Sequence, residues 1–157
     1  MTALQSEATP VVMLEAETLG AEEYADEVID SRVFEQLLGL DEDIEFVKTV
    51  IKEYFEQAKQ KIGEMQEAIP KKDFAKLLEL GHFLKGSSAA VGIIKMKASC
   101  GRLQHYGSRL DAEGHNPITD EEALKLTEAL LIQMQAENEE ARNYLKRVYL
   151  NEGDEEE

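Results

Sequence analysis

The stretch Ile44-Glu-Phe-Val-Lys-Thr-Val-Ile-Lys-Glu-Tyr-Phe-Glu-Gln-Ala-Lys-Gln-Lys-Ile-Gly-Glu-Met-Gln-Glu-Ala-Ile69 decides the fold. Apolar residues recur along it at Ile44, Val47, Ile51, Tyr54, Ala58, Ile62, Met65 and Ile69, always three or four apart. That spacing lines one face of a long α-helix. Carboxylates at Asp41 and Asp43 suit its N-terminus, and Pro70 ends it. Phe46 and Val50 share a face with each other but lie to one side of the stripe, so a core built on the stripe leaves them unused.

Four more helices follow from the same periodicity. A short one is expected from about Asp30, capped by Asp30 or Ser31, with Val33, Leu37 and Leu40 on one face. Another runs from about Lys71 to Val91, with Phe74, Leu77, Gly81, Leu84, Ser88 and Val91 inward. Gly92 supplies the left-handed turn that stops it. The small run Gly86-Ser-Ser-Ala-Ala90 is expected to let neighbouring backbones approach closely. The next helix is expected from about Lys95 to Ala112, with Met96, Ser99, Leu103, Tyr106 and Leu110 inward, before a loop marked by Gly114 and Pro117. The last starts at Thr119 or Asp120, with an acid three residues after the Thr. It reaches about Leu150 through Ala123, Leu126, Leu130, Met134, Ala141, Tyr144 and Val148. Strand-like alternation and internal repeats are lacking. The expected fold is all-α: an antiparallel four-helix bundle with a short additional N-terminal helix covering one end.

A chain of 157 residues is one domain by length. It has no run of 18 apolar residues and no basic-then-apolar start, so neither a membrane span nor a signal peptide is expected. One cysteine, Cys100, leaves no internal disulfide to form and suits a reducing compartment. The net charge of −16 sits mostly at the ends. Residues 1–30 carry eight acidic and no basic side chains, and residues 151–157 carry five and none. A flexible acidic extension over residues 1–27 and an acidic tail over 151–157 are expected to flank a domain at 28–150. Residues 71–110 reverse the sign, with eight Lys or Arg against Asp73 and Glu79. So acidic a protein is a poor partner for nucleic acid, whereas its basic segment suits an acidic pocket. The plainer reading of that segment is a solvated helix face.

The basic segment holds His82, with Lys85 three residues on and Gly86 four residues on, all sharing one helical face. His82, His105 and His115 lack metal-ligand spacing, so no metal site is expected. The Gly-Ser run lacks the order of a phosphate loop and does not follow a strand. Ser87 or Ser88 would need a histidine base, and His82 lies on another face. A lone helical histidine is ordinarily unremarkable; this one keeps a lysine and a glycine gap beside it. A free imidazole has a reference pKa of about 6.5 and is largely neutral at pH 7, so a ring nitrogen can attack phosphorus. A neighbouring ammonium can then offset charge on the phosphoryl oxygens.

The twelve-residue run Gly81-His-Phe-Leu-Lys-Gly-Ser-Ser-Ala-Ala-Val-Gly92 resembles the motif of histidine-containing phosphotransfer proteins, nearest to the fungal phosphorelay intermediates of osmotic-stress signalling. Agreement continues through Cys100, Arg102, Gln104 and Gly107, and the resemblance covers roughly residues 28–150. It implies a cytoplasmic and nuclear phosphorelay intermediate without kinase or phosphatase activity of its own; the oligomeric state is left open, with a monomer as the default. His82 would accept a phosphoryl group from a receiver-domain aspartate on a hybrid histidine kinase and pass it to a downstream response regulator. Lys85 would steady the group, Gly86 would give access, and Gln104 would hydrogen-bond near the imidazole and orient it. No cofactor is implied, because the receiver brings the magnesium. The receiver would dock on Val33, Leu37, Leu40, Phe46, Val50, Phe83 and Ser87, a set that includes the two off-stripe residues. The competing reading is a non-catalytic helical module that binds or sequesters receivers. Nucleic acid and membrane are not implied partners.

Overall fold

A computed structural model describes residues 28–40 and 44–148. The expected acidic extension at 1–27, the loop acids Asp41–Asp43 and the tail at 151–157 lie outside the described residues. Five α-helices form the regular structure of the described residues: α1 (Ser31–Leu40), α2 (Ile44–Ala68), α3 (Phe74–Val91), α4 (Ile94–Gly107) and α5 (Asp120–Val148). The four long ones form the bundle, with α3 against α2 and α4, and α5 against α2 and α4; α1 packs on α2 and α3. A single antiparallel bridge, Leu110 to Pro117, lies outside them among the described residues. Among the described residues no helix is long and apolar enough to cross a membrane.

The stripe of α2 is buried as its spacing demands, through Val47, Ile51, Tyr54, Ala58, Ile62 and Met65. Leu77 and Leu84 of α3, Met96 and Leu103 of α4, and Leu131 and Met134 of α5 meet it in one continuous core. Asp30 caps α1, its Oδ1 accepting from the amides of Arg32 (3.2 Å) and Val33 (3.4 Å). A reciprocal capping box settles the start of α5: Thr119 Oγ1 accepts from the Glu122 amide and Glu122 Oε1 from the Thr119 amide, each at 3.0 Å.

Four expectations need correction. First, α3 starts at Phe74 instead of Lys71, because Lys72 turns left-handed (φ 53°) and Asp73 Oδ1 caps the Lys76 amide at 3.0 Å. Second, α4 stops at Gly107, five residues before Ala112, and Leu110 is only half-buried. Arg109 adopts φ 61° there, with its guanidinium 4.2 Å from the Phe74 ring centroid and Nε 3.6 Å from the Asp120 carboxylate. Asp111 organises the loop that follows, accepting from the His115 amide and from Asn116 Nδ2, both at 2.9 Å. Those donors, the His115 amide foremost, hold its carboxyl below the usual carboxylate range. His105 Nδ1 lies 2.7 Å from the Ala112 carbonyl, which can only accept, so Nδ1 carries the proton. Third, Leu126 is 40% exposed; Ala123, Leu130, Met134 and Ala141 are buried as expected, and Thr127, Leu131, Asn138 and Leu145 are buried beside them. Thr127 and Asn138 are polar, so the apolar pattern alone leaves those two buried positions out. Fourth, within the Gly86–Ala90 run Gly86 itself makes no close helix contact, whereas Ser88 is buried against Tyr54 and the tight glycine contacts sit at Gly81 and Gly107. A Cβ on Gly107 would lie 3.0 Å from Leu78 Cγ, whereas one on Gly86 would meet nothing within 4 Å.

Candidate functional site

Capping holds α3 at both ends, so its middle presents a fixed face. Asp73 secures the first turn. Gly92 at φ 85° closes the last, its amide donating to the Ser88 carbonyl at 2.8 Å. The same glycine anchors α1: the Asp30 amide donates to the Gly92 carbonyl at 2.6 Å, and a Cβ on Gly92 would lie 3.0 Å from the Asp30 carbonyl oxygen. Backbone contact this close is open only to glycine.

His82 is exposed near the middle of α3, with Gly86 exposed one turn on and Lys85 half-buried beside them. The open space at Gly86 leaves that side of the ring uncovered. The charge of Lys85 acts on the thiol of Cys100 in α4. That thiol is buried, and burial first and the Glu137 carboxylate second push it up to about 12, with Lys85 pulling the other way. Gln104 lies across the α3–α4 seam. Its Cγ would be 3.3 Å from a Cβ on Gly81, so the absent side chain of Gly81 is what lets Gln104 settle beside the His82 backbone. Among the described residues no hydrogen bond joins Gln104 to the imidazole.

Behind this face, Tyr54 Oη and Ser88 Oγ hydrogen-bond at 2.6 Å in the core. That pair, with Lys61 of α2 against Phe83 of α3, fixes the register of the two antiparallel helices. Phe83 follows His82 directly and is 42% exposed. Ser87 is half-buried and donates to the Phe83 carbonyl at 3.3 Å. Phe46 is 54% exposed, Val50 is half-buried, and in α1 Val33 is half-buried against Gly92 while Leu37 packs on the core. The side chain of Leu40 lies outside the described residues. The register puts Phe46 about 20 Å along the bundle axis from the level of His82, at the 1.5 Å rise of a helix. The expected docking residues therefore fall into two groups: Phe83 and Ser87 at the histidine, and Phe46, Val50, Val33 and Leu37 at the Gly92 end of α3. A protein footprint of about 800 Å² is roughly 30 Å across and covers both.

Two residues at this face escape a reading from sequence. Gly81 carries a seam position, and its role as a gap for Gln104 depends on which residue α4 brings opposite it. Lys61 is one of several lysines on α2, and no local pattern marks it out. Among the described residues no three His, Cys, Asp or Glu side chains gather into a group that could hold a metal ion.

The model of the Hpt domain matches residues 49–144 of the chain. Multistep phosphorelay regulator 1 of Schizosaccharomyces pombe is 44% identical over 78% of this chain and 43% of its own length. Phosphorelay intermediate protein YPD1 of Candida albicans is 35% identical over 54% of this chain and 46% of its own. The chain spans about half the length of the curated relatives it matches. Among solved structures, the Saccharomyces cerevisiae histidine phosphotransfer signaling protein Ypd1, in co-crystal with the receiver domain of its downstream response regulator Ssk1, matches with a TM-score of 0.71. That match is at 28% identity and covers 80% of this chain and 96% of that one.

Proposed function

The chain belongs to the Hpt domain family, and from that premise we propose that it is a phosphorelay intermediate whose His82 carries the phosphoryl group. The observation that carries this reading is an exposed imidazole in mid-helix with a half-buried lysine and an open glycine on its own face. The donor is an aspartyl phosphate on the receiver domain of a hybrid histidine kinase. A ring nitrogen of His82 attacks phosphorus; the N–P bond forms as the acyl P–O bond breaks, and the electron pair leaves on the receiver's carboxylate. Lys85 offsets the charge on the phosphoryl oxygens, a cation's usual part in phosphoryl transfer. Attack by a carboxylate of a downstream response regulator reverses the step. Gly86 keeps the approach open, and Gln104, set against Gly81 on the facing helix, is the neighbour placed to orient the ring. Magnesium comes with the receiver. Support for a receiver as partner comes from the yeast relative, which is seen with one.

Incubation with a phosphorylated receiver domain tests the reading. The protein should gain acid-labile, alkali-stable phosphate, and His82→Gln should gain none. Label on His82→Gln would refute the assignment. A wild-type protein that binds receivers yet never takes label would be a sequestering module instead.

A further inference from the structure

The aromatic ring next to His82 is not alone at the surface. Lys61, from α2, holds its Nζ 4.9 Å from the centroid of Phe83. An ammonium at that distance over a ring face is a cation–π contact. The lysine is held from behind as well: its Nζ lies 4.0 Å from Glu64 Oε2, and Lys76 Nζ lies 4.0 Å from the other oxygen of the same carboxylate. Two ammonium groups thus share one carboxylate, so the cluster keeps a net positive charge at the edge of Phe83. Only 24% of the Lys61 side chain is exposed, which leaves its charge at a defined place and not on a swinging stem. The histidine therefore has Lys85 on its own helix and a second cation, Lys61, beside the neighbouring Phe83 from α2.

The geometry points to Lys61 as a specificity-determining residue of the docking face. It pins one face of Phe83 and presents a fixed positive charge beside His82, where the anionic aspartyl phosphate of a receiver arrives. The inference rests on the reading of His82 as a receiver-facing site, and it adds the residue that selects for charge on that partner. A rim charge of this kind acts on encounter: it raises the association rate and makes it depend on salt, while leaving the chemistry of the imidazole alone.

Association with a phosphorylated response-regulator receiver, followed by stopped flow at rising ionic strength, tests this. Lys61→Met should lower the association rate roughly threefold at low salt, the size expected for one unit charge at about 7 Å in water. The difference should vanish near 1 M salt, where the screening length falls to about 3 Å. Lys61→Arg keeps the charge and should keep the wild-type rate and salt slope. Lys125→Met makes the same change of net charge on α5 and should leave both nearly unchanged. Equal loss in Lys61→Met and Lys61→Arg, or equal salt slopes in Lys61→Met and Lys125→Met, would overturn the assignment while the reading of His82 stands. No association of the wild-type protein at any salt would overturn both.

Discussion

Cys100 is the residue whose environment says most about the interior beneath the site. It has no exposed surface, and its thiol is pushed from its usual 9.0 to about 12 by burial and the nearby Glu137 carboxylate. Because the folded value is raised, the neutral thiol's contribution to stability is fully present below pH 9. It is lost as pH rises toward 12. The native protein should resist thiol reagents at pH 8, and labelling should occur only at the rate of opening, as read by Ellman's reagent with and without denaturant. Rapid labelling without denaturant would contradict the packing. A sequence reveals that this cysteine is single. It cannot reveal that Glu137, 37 positions later, is the carboxylate that acts on it, because that proximity is made by α4 lying on α5.

Glycines decide matters at the scale of the helix, and they do so in opposite senses. Gly86 sits in a helix interior with open space where a Cβ would go, so Gly86→Ala should stabilise the fold by about 0.5–1 kcal/mol. The same methyl should slow transfer from a receiver if the gap serves approach. Gly92 is left-handed and abuts the Asp30 carbonyl, so Gly92→Ala should cost about 1–3 kcal/mol. Chemical denaturation of the two variants checks both signs; a Gly86→Ala protein less stable than wild type would mean that the open space is occupied. Gly92 was legible as a stop signal because it follows the last apolar position of α3. Gly86 reads two ways in the sequence, as a gap beside His82 and as part of a close-packing small run, and the open space there agrees with the first. Helix ends show the same division: the capping box at Thr119 is written in four residues, whereas the early stop of α4 depends on Arg109 meeting Phe74 and Asp120.

For the molecule as a whole, one buried hydrogen bond ties α2 to the helix that carries His82. Tyr54 and Ser88 meet at 2.6 Å, and burial raises the Tyr54 hydroxyl well above its ordinary value, so it stays neutral. Tyr54→Phe should cost about 1–3 kcal/mol, because it strands the Ser88 hydroxyl in the core. Ser88→Ala should do the same to Tyr54. The double variant should lose less than the two single losses together, since each then leaves nothing unpaired. Urea midpoints decide it: strictly additive losses would mean the bond does not couple the helices. Asn138, with Nδ2 3.5 Å from the Phe55 carbonyl and a buried, unpartnered Oδ1, is a looser polar tie between α5 and α2.

The sequence by itself determined the helices and the identity of the candidate histidine. Apolar spacing of three and four residues is a local property of the chain, and so is the face shared by His82, Lys85 and Gly86. The tertiary structure alone decided what stands opposite what. It brought Lys61 over Phe83, set Gln104 in the gap at Gly81, and spread the docking residues over about 20 Å of bundle axis. Those facts depend on the register between helices, which side-chain packing and one buried hydrogen bond select, and periodicity within a helix does not encode it.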